Sequence, residues 1–274
     1  MIACINGVFE DLESSSALVF NRAFEYGDGI FETIIVRNNI ICFWQDHFER
    51  LLSGMKALYF NISSSFTKDY LQNIIFEVAQ KNGLNHSFRI KINVWRETGG
   101  LYTPLNNTFH WLVRVFPATD KHNYIKEKAV FFEDIRLIAS SISPYKTLNA
   151  LPYVLAGIYK QHQQADEVIM LSSENFIAET LASNIFWIKS NVICYPSLAC
   201  GGKKGILQTQ IIRKAKELNI HIKEGFFLKN DILEADVVFT SNVAGIESIK
   251  KIENTLYQTE HSYITEFRKL INFD

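Results

Sequence analysis

The sequence predicts a two-domain protein of the α/β class, with α+β elements in each half. Three observations support this prediction. Strand-like and helix-like segments alternate along the chain, a polar segment interrupts them near the middle, and 274 residues suffice for one large or two modest domains. We therefore predict a smaller N-terminal domain over residues 1–116, an interdomain linker over 117–127 and a larger C-terminal domain over 128–274.

The first predicted elements of the N-terminal domain are a β-hairpin and a helix. Asn38 and Asn39 separate two β-rich segments, and asparagines in this setting are typical of a hairpin turn. A helix is expected to begin near residue 45. Its apolar residues recur at helical spacing along one face, and they are Phe48, Leu51, Leu52, Met55 and Leu58.

A second helix and two strands complete this domain. The helix is expected over residues 67–81, because Asn82 and Gly83 follow as a typical helix end. Strands should follow at 88–95 and 110–116, with a glycine-containing loop between them. This order of elements is typical of an α+β domain.

The C-terminal domain is predicted to mix helices and strands as well. The segment that precedes it is polar and charged, a composition that suits an interdomain connection. A small-molecule site between two such halves is a common placement. The predicted elements, in chain order, are a helix at 150–163, strands at 167–171, 184–188 and 192–195, a helix at 205–218 and a strand at 237–240.

Composition narrows the function classes. The chain has 28 Lys and Arg against 29 Asp and Glu, so it has no excess positive charge for a nucleic acid or an anionic membrane, and we expect neither as a partner. The first residues lack the basic region and apolar core of a signal peptide, which predicts a cytoplasmic protein. The four cysteines form no CxxC pair and no His/Cys cluster. This pattern fits reduced thiols, and no metal is predicted.

A lysine and a carboxylate stand out as candidates for chemistry. Lys146 follows Pro144 and Tyr145 and lies just ahead of an apolar helix, a junction from which a side chain can point into a cleft. Glu179 is expected on a loop that enters a strand, among apolar neighbours that make an unpaired carboxylate costly. Pyridoxal phosphate needs an amine for its Schiff base and an anion to keep its pyridine nitrogen protonated. The alternatives are a solvated surface lysine and an exposed turn glutamate.

Two further features could bind a phosphate group. The glycine-rich segment 201–205 leads into a helix, whose free N-terminal amides form an anion site, although such a segment is usually only a turn. Arg50 lies beside the apolar face of its helix and could reach inward to a phosphate. The alternative is a partly exposed arginine that pairs with Glu49 or Asp46.

Several motifs in sequence carry a family resemblance. They are 26–33, 47–51, 146–151, 179–186, Gly205 with Ile206, and 235–239. With these motifs the chain resembles the class IV aminotransferase family, the fold-type IV pyridoxal-phosphate enzymes, over nearly its whole length. This family includes branched-chain and D-amino-acid aminotransferases and aminodeoxychorismate lyases. The resemblance implies a two-domain fold with the cofactor between the domains, and a homodimer.

The resemblance also implies roles for individual residues. Lys146 would form the Schiff base with pyridoxal 5'-phosphate and move the proton between the substrate Cα and the cofactor. Glu179 would bind the pyridine nitrogen. Phe31 matches a hairpin that lines the substrate pocket. Arg96 matches an arginine that meets a substrate carboxylate in some relatives, and Arg89 competes with it for that role.

Phosphate binding is implied for a second set of residues. Arg50 and the backbone amides of Ile206 and Leu207 would hold the phosphate, and Asn242 with Val243 would complete the cup. Relatives often carry a hydroxyl residue near Val243 and an arginine soon after the Gly-Ile pair, where this chain has leucine and glutamine. The backbone part of the cup is therefore better supported than its side-chain part.

The expected activity is that of an aminotransferase, which moves an amino group between an amino acid and a 2-keto acid. Phe31 with Glu32 resembles the transaminase hairpin, and 13% aromatic residues could line an apolar pocket. The alternative is a 4-amino-4-deoxychorismate lyase that releases pyruvate and 4-aminobenzoate. Thr33 is compatible with this lyase as well. A catalytically silent pyridoxal-phosphate-binding protein is a third possibility. The presence of both Lys146 and Glu179 argues against it.

Overall fold

The computed structural model of the chain describes residues 1–11, 21–118 and 124–271. Residues 119–123 of the predicted linker lie outside these ranges. Within the described ranges, no helix combines the length and the apolar character that crossing a membrane requires.

The chain divides into two compact units. The first contains Met1–Asp120, Tyr145–Asn149 and Phe273–Asp274, and the second contains Lys121–Pro144 and Ala150–Asn272. The short segment around Lys146 therefore belongs to the first unit, although the polypeptide on both sides of it belongs to the second.

The first unit is built on one antiparallel sheet. Its elements are β1 (Ile2–Ile5), β2 (Val8–Asp11), α1 (Arg22–Tyr26), β3 (Gly29–Arg37), β4 (Ile40–Ile41), α2 (Trp44–Ala57), α3 (Lys68–Lys81), β5 (Phe88–Arg96) and β6 (Phe109–Pro117). The strand order is β2-β1-β6-β5-β3-β4. One face of this sheet shares a core with α2 and α3.

The predicted hairpin and helices of this unit are confirmed. Asn38 and Asn39 have φ of 47° and 63°, the left-handed conformation that a two-residue hairpin turn of this kind needs. Helix α3 begins where expected, because the Thr67 side chain accepts a hydrogen bond from the Tyr70 backbone N–H at 3.2 Å.

Strand β5 gives the first sheet two different faces. Phe88, Ile90 and Ile92 are buried in the core, whereas Arg89 is exposed and Lys91 is half-buried on the other face. This period of two is the expected consequence of strand geometry. The face opposite the helices is called the open face below.

The second unit contains two sheets. Its elements are β7 (Ile125–Lys126), β8 (Ala129–Leu137), α4 (Leu151–His162), β9 (Glu167–Ser172), β10 (Ile177–Thr180), β11 (Asn184–Lys189), β12 (Val192–Pro196), α5 (Ile206–Glu217), β13 (Ile222–Gly225), α6 (Lys229–Leu233), β14 (Val237–Asn242), β15 (Gly245–Ile249), β16 (Lys251–Ile252), β17 (Thr255–Leu256) and α7 (Ser262–Arg268). One sheet has the order β10-β9-β8-β16-β17 and the other β13-β12-β11-β14-β15-β7.

The predicted helices and strands of this unit are confirmed, with one correction at Glu179. This residue lies within β10, which pairs antiparallel with β9, and not on a loop. The pairing shifts register between Ile177 and Glu179, so the strand is short and irregular. A four-residue strand that contains a glutamate has little strand propensity of its own. Its pairing is fixed by the neighbouring strand, which the local sequence does not show.

Candidate active site

Lys146 is held by main-chain hydrogen bonds to strand β3. The Phe31 N–H donates to the Lys146 carbonyl at 2.8 Å, and the Leu148 N–H donates to the Gly29 carbonyl at 2.9 Å. The segment thus pairs with the beginning of β3 as an extra strand residue would. This pairing fixes the position from which the Lys146 side chain projects.

Two glycines allow this close approach. A Cβ atom on Gly29 would collide with the Val94 carbonyl oxygen and the Leu148 side chain. Gly27 has φ of 64°, a conformation that favours glycine, and it ends α1 beside the side chain of Asn149. The glycines of the motif 26–33 are therefore explained by the packing of the lysine segment.

The Lys146 side chain lies on the open face beside Phe31. Its Nζ is 4.8 Å from the centre of the Phe31 ring, and the Lys91 Nζ is 5.0 Å from the same centre. An aromatic ring attracts cations at such distances. The predicted substrate-lining residue Phe31 therefore contacts both the candidate Schiff-base lysine and a second ammonium group.

Lys91 is one of three cations on this face. It lies opposite Arg114 in the register of β5 and β6, and Arg89 lies two residues before it. Burial, together with the positive charges of Arg114 and Arg89, lowers the pKa of Lys91. The Arg114 Nη2 donates to the Asn93 side-chain oxygen at 3.4 Å, whereas its Nε is buried without a hydrogen-bond partner. Among the described residues, no carboxylate forms a salt bridge with any of the three cations, so the open face can receive an anion.

Behind β3, on the side of α2, Glu32 forms a buried ionic cluster. Its carboxylate accepts hydrogen bonds from the Arg50 Nε at 2.7 Å and Nη2 at 2.6 Å, and it lies 2.8 Å from the His47 Nδ1. Burial alone would raise the pKa of Glu32, but Arg50 and His47 lower it to about 2. Because that carboxylate is ionised, the Nδ1 of His47 must carry the proton that it donates.

Arg50 turns inward, as its position on α2 suggests. The partner carboxylate that the structure identifies lies on β3 rather than on its own helix. This pair fixes the guanidinium by two of its nitrogens. Phosphate binding by Arg50 stays a prediction.

Arg96 is bound within its own unit. Its guanidinium donates to Asp28 at 2.9 Å, to the Asn107 side chain at 2.6 Å and to the Leu58 carbonyl at 2.7 Å. Asp28 also accepts from the Arg22 Nε at 2.8 Å. This network favours a structural role for Arg96 over the predicted contact with a substrate carboxylate. The exposed Arg89 has no such acceptor among its described contacts.

In the second unit, the Glu179 carboxylate is buried and bonded at both oxygens. Oε1 accepts from the Tyr153 hydroxyl at 2.5 Å and lies 3.4 Å from the Lys203 Nζ, and Oε2 accepts from the Lys203 backbone N–H at 3.0 Å. Only 3% of Glu179 is exposed. Burial and the negative charge of Glu179 raise the pKa of Tyr153, so its hydroxyl keeps the proton that it donates.

Lys203 connects this carboxylate to the beginning of α5. The Lys203 carbonyl accepts from the Asn184 Nδ2 at 2.8 Å, which fixes the segment just before the helix. The first amides of a helix lack partners within the helix. Among the described residues, no group of the chain accepts from the Ile206 or Leu207 amide.

Asn242 holds a neighbouring turn at the end of β14. Its Nδ2 donates to the Ser183 hydroxyl at 2.8 Å, and its side-chain oxygen accepts from the Ala244 N–H at 2.8 Å. Val243 lies between these anchored positions and is half-buried. The turn is therefore tied to residues 182–184, which also contact the segment before α5.

The second unit therefore has features that fit two groups of the predicted cofactor, its ring nitrogen and its phosphate. The Glu179 carboxylate suits a protonated ring nitrogen, and the unbonded amides of α5 suit a phosphate group. The segment of residues 203–205 joins the two features. The predicted phosphate residues Ile206, Leu207, Asn242 and Val243 lie in this unit with Glu179, whereas Lys146, Phe31, Arg50, Arg89 and Arg96 lie in the first unit.

Sequence reasoning missed four residues of these groups. Tyr153 and Lys203 contact Glu179 from 26 and 24 positions away, and no local pattern indicates such contacts. Lys91 could have been found, because polar residues at 89, 91 and 93 alternate with apolar ones along β5. Arg114 could not, because the alternate positions 112 and 116 of β6 are apolar.

Comparison with known proteins adds independent information. The model of the family described as amino-transferase class IV matches residues 29–252. A provisionally named branched-chain-amino-acid aminotransferase of Methanocaldococcus jannaschii is 28% identical over 88% of this chain and 83% of its own length. An aminodeoxychorismate lyase of Vibrio harveyi is 26% identical over 86% of this chain and 88% of its own. The structure of Escherichia coli branched-chain aminotransferase has a TM-score of 0.89, with 23% identity over 98% of this chain and 92% of that chain. This likeness shows that the fold is the one predicted.

Proposed function

Because this chain belongs to the class IV aminotransferase family, we propose that it moves an amino group between an amino acid and a 2-keto acid, with pyridoxal 5'-phosphate as its cofactor. One observation carries the proposal: in the second unit, a buried carboxylate and two unbonded helix amides are joined by one short segment. A ring nitrogen and a phosphate on one small molecule suit this pair of features.

Each candidate residue then has a defined task. When bound, the cofactor supplies an electron-withdrawing ring that stabilises negative charge at the substrate Cα. Lys146 would attach the cofactor through Nζ and would move the proton from the substrate Cα to the cofactor. Glu179 would favour the protonated form of the ring nitrogen. The amides of Ile206 and Leu207 hold the phosphate, with Asn242 as the support of the neighbouring turn.

The open face favours an anionic substrate. The three cations of this face have no carboxylate partner among the described residues; Lys91 is close to the same Phe31 ring as Lys146, and the two arginines lie over the Phe116 ring. Like charges opposite each other in a sheet are destabilising, so an anion bound there would relieve the repulsion. A dicarboxylic amino acid would supply that anion in the aminotransferase reaction. Aminodeoxychorismate would supply it in a lyase reaction, and the cations are the observation that keeps the lyase as a second candidate.

A homodimer is proposed from helix α4. Leu151, Val154, Leu155 and Ile158 recur at helical spacing, and between 38% and 66% of each is exposed. An exposed apolar stripe of this kind is typical of a protein interface. A cytoplasmic location is also proposed, since all four cysteines are free thiols and buried.

The test of the function is a single-turnover measurement. The protein is loaded with pyridoxal 5'-phosphate and mixed with one ¹⁵N-labelled amino acid, in the absence of any 2-keto acid. An aminotransferase should release one keto acid per protomer and keep the ¹⁵N on the protein. We expect this result with a dicarboxylic amino acid before a branched-chain one.

The lyase gives the opposite result in the same assay. It should retain no ¹⁵N from any amino acid and should form pyruvate from aminodeoxychorismate over many turnovers. That outcome would replace the aminotransferase proposal by the second candidate. A protein that binds pyridoxal 5'-phosphate but turns over neither class of substrate would contradict both.

A further inference from the structure

We propose that Lys203 is a positioning residue that shares the Glu179 carboxylate with the ring nitrogen of the cofactor, and that it thereby weakens the hold of Glu179 on that nitrogen. This inference rests on the proposed function, because it concerns how tightly the ring nitrogen is protonated.

The Glu179 carboxylate has three hydrogen-bond donors from two residues. The Tyr153 hydroxyl and the Lys203 Nζ both approach Oε1, at 2.5 Å and 3.4 Å, and the Lys203 backbone N–H reaches Oε2 at 3.0 Å. The side chain of Glu179 is 5% exposed and that of Lys203 is 20% exposed. The ion pair is therefore largely shielded from water. Charges in such a buried environment interact more strongly than charges at a surface.

The Lys203 ammonium group is held in place by more than the carboxylate. Its Nζ lies 3.6 Å from the centre of the Tyr153 ring and contacts the Tyr153 hydroxyl. A cation over an aromatic ring is attracted by the ring's negative face. Tyr153 thus bridges the ammonium group and the carboxylate. These contacts hold the Lys203 side chain beside Glu179.

A protonated ring nitrogen at Glu179 would place a second cation beside Lys203. Two cations near one carboxylate repel each other, and a nearby like charge disfavours protonation of the nitrogen. Lys203 should therefore lower the basicity of the ring nitrogen, and with it the affinity for the cofactor. Before the cofactor binds, Lys203 supplies the positive charge that stabilises the buried Glu179 carboxylate.

The experiment compares two cofactors and three proteins. Equilibrium dialysis measures the dissociation constants of pyridoxal 5'-phosphate and of 1-deazapyridoxal 5'-phosphate, in which carbon replaces the ring nitrogen. The proteins are the unmodified chain, Lys203→Met and the matched control Lys204→Met, whose lysine is adjacent and exposed. A purely structural role of Lys203 would change the binding of both cofactors equally.

We expect Lys203→Met to bind pyridoxal 5'-phosphate roughly tenfold more tightly than Lys204→Met does, since a neighbouring charge shifts a pKa by about one unit or more. Binding of the deaza analogue should change by no more than about twofold, the experimental scatter. Lys203→Arg should restore the affinity of the unmodified protein. Equal changes for the two cofactors, or no tightening, would overturn the inference.

A second measurement keeps the inference testable if Lys203→Met does not fold. The ¹⁵N resonance of ring-labelled cofactor bound to the unmodified protein reports protonation of the ring nitrogen directly. We expect this nitrogen to lose its proton between about pH 6 and 9. Its pKa should lie roughly one unit or more below the pKa that Glu179 would give it in the absence of the Lys203 charge. A nitrogen that stays fully protonated through this range would contradict the inference. If the unmodified protein binds neither cofactor, the proposed function itself is wrong and the inference falls with it.

Discussion

The guanidinium of Arg50 and the carboxylate of Glu32 form two parallel hydrogen bonds between helix α2 and strand β3, at 2.7 Å and 2.6 Å. Paired bonds of this kind fix both groups in angle as well as in distance. His47 approaches the same carboxylate at 2.8 Å, and all three side chains are largely buried. The cluster therefore orients the strand that carries Phe31, and its titration should affect stability.

We predict that the free energy of unfolding decreases in two steps as the pH is lowered. Burial lowers the pKa of His47 below its ordinary value of 6.5, against the opposing effect of Glu32. The unfolded chain therefore takes up a proton on His47 first, so stability falls as the pH drops from about 6.5 towards the lowered pKa. Burial raises the pKa of Glu32, but Arg50 and His47 lower it from 4.5 to about 2. The contribution of Glu32 to stability is therefore lost as the pH falls from 4.5 to about 2.

Urea titrations at a series of pH values check this prediction. His47→Gln should remove the first step and keep the second, because glutamine can donate to Glu32 without titrating. The exposed His162 provides the matched control as His162→Gln. If the first decrease in stability persists in His47→Gln, a residue other than His47 causes it.

How far the sequence determines the fold can be seen at particular elements. Helix α2 is predictable because its apolar residues repeat on one face, and α3 because Asn82 and Gly83 follow it as a typical helix end. Strand β10 was not, because its pairing depends on β9 and its own sequence has no alternation. Local pattern thus specifies the amphipathic elements but not the short strands that neighbours impose.

The same distinction applies to the site. Lys146 and Glu179 are predicted site residues on the evidence of their motifs, whereas the contacts of Glu179 with Tyr153 and Lys203 bring together residues from α4, β10 and the segment before α5. Long-range ion pairs have no sequence period. The acceptors of Arg96, which are Asp28, Asn107 and the Leu58 carbonyl, are likewise distant in sequence, and its contact with a substrate stays a prediction.

Replacement of Lys146 should remove both the covalent attachment of the cofactor and the proton transfer. We expect Lys146→Ala to lose the visible absorbance of the loaded protein and roughly 10³-fold in turnover, the usual contribution of a general acid and base. Borohydride reduction followed by peptide mass spectrometry should label Lys146 in the unmodified protein. The exposed Lys216 gives the control Lys216→Ala. Normal turnover of Lys146→Ala would refute its assignment.

Glu179→Gln should affect the chemical step more than cofactor binding. An amide cannot hold a positive charge on the ring nitrogen, so removal of the substrate Cα proton should slow by roughly 10²-fold. Exchange of the Cα hydrogen in D₂O, followed by NMR, measures this step. Glu174→Gln changes an exposed glutamate nearby as the control. If cofactor affinity collapses while exchange on the bound fraction stays normal, Glu179 has only a structural role.

Arg89 and Arg96 should respond differently to alanine. We expect Arg96→Ala to destabilise the protein by about 2 kcal/mol, because Asp28 and the Leu58 carbonyl lose a buried charged donor. Arg89→Ala should leave stability within about 0.5 kcal/mol, as exposed substitutions usually do, and raise the KM of a dicarboxylic substrate roughly tenfold. Thermal unfolding and steady-state kinetics check both. A raised KM in Arg96→Ala without loss of stability would restore the role that its motif indicates.

The exposed stripe of α4 leads to the last prediction, which concerns assembly. Val154 is 55% exposed in the middle of the stripe, and Gln163, the exposed C-cap residue of the same helix, lies on the side opposite Val154 by helical spacing. If a second copy covers the stripe, Val154→Glu buries an unpaired carboxylate in an apolar interface, which costs several kcal/mol per interface. We therefore expect light scattering to show a dimer for the unmodified protein and for Gln163→Glu, and a monomer for Val154→Glu at the same micromolar concentration. Circular dichroism should show that the Val154→Glu monomer is folded, because the substituted side chain is exposed within one chain. A Val154→Glu protein that remains dimeric would place the interface elsewhere, and an unmodified protein that is monomeric would contradict the proposed homodimer.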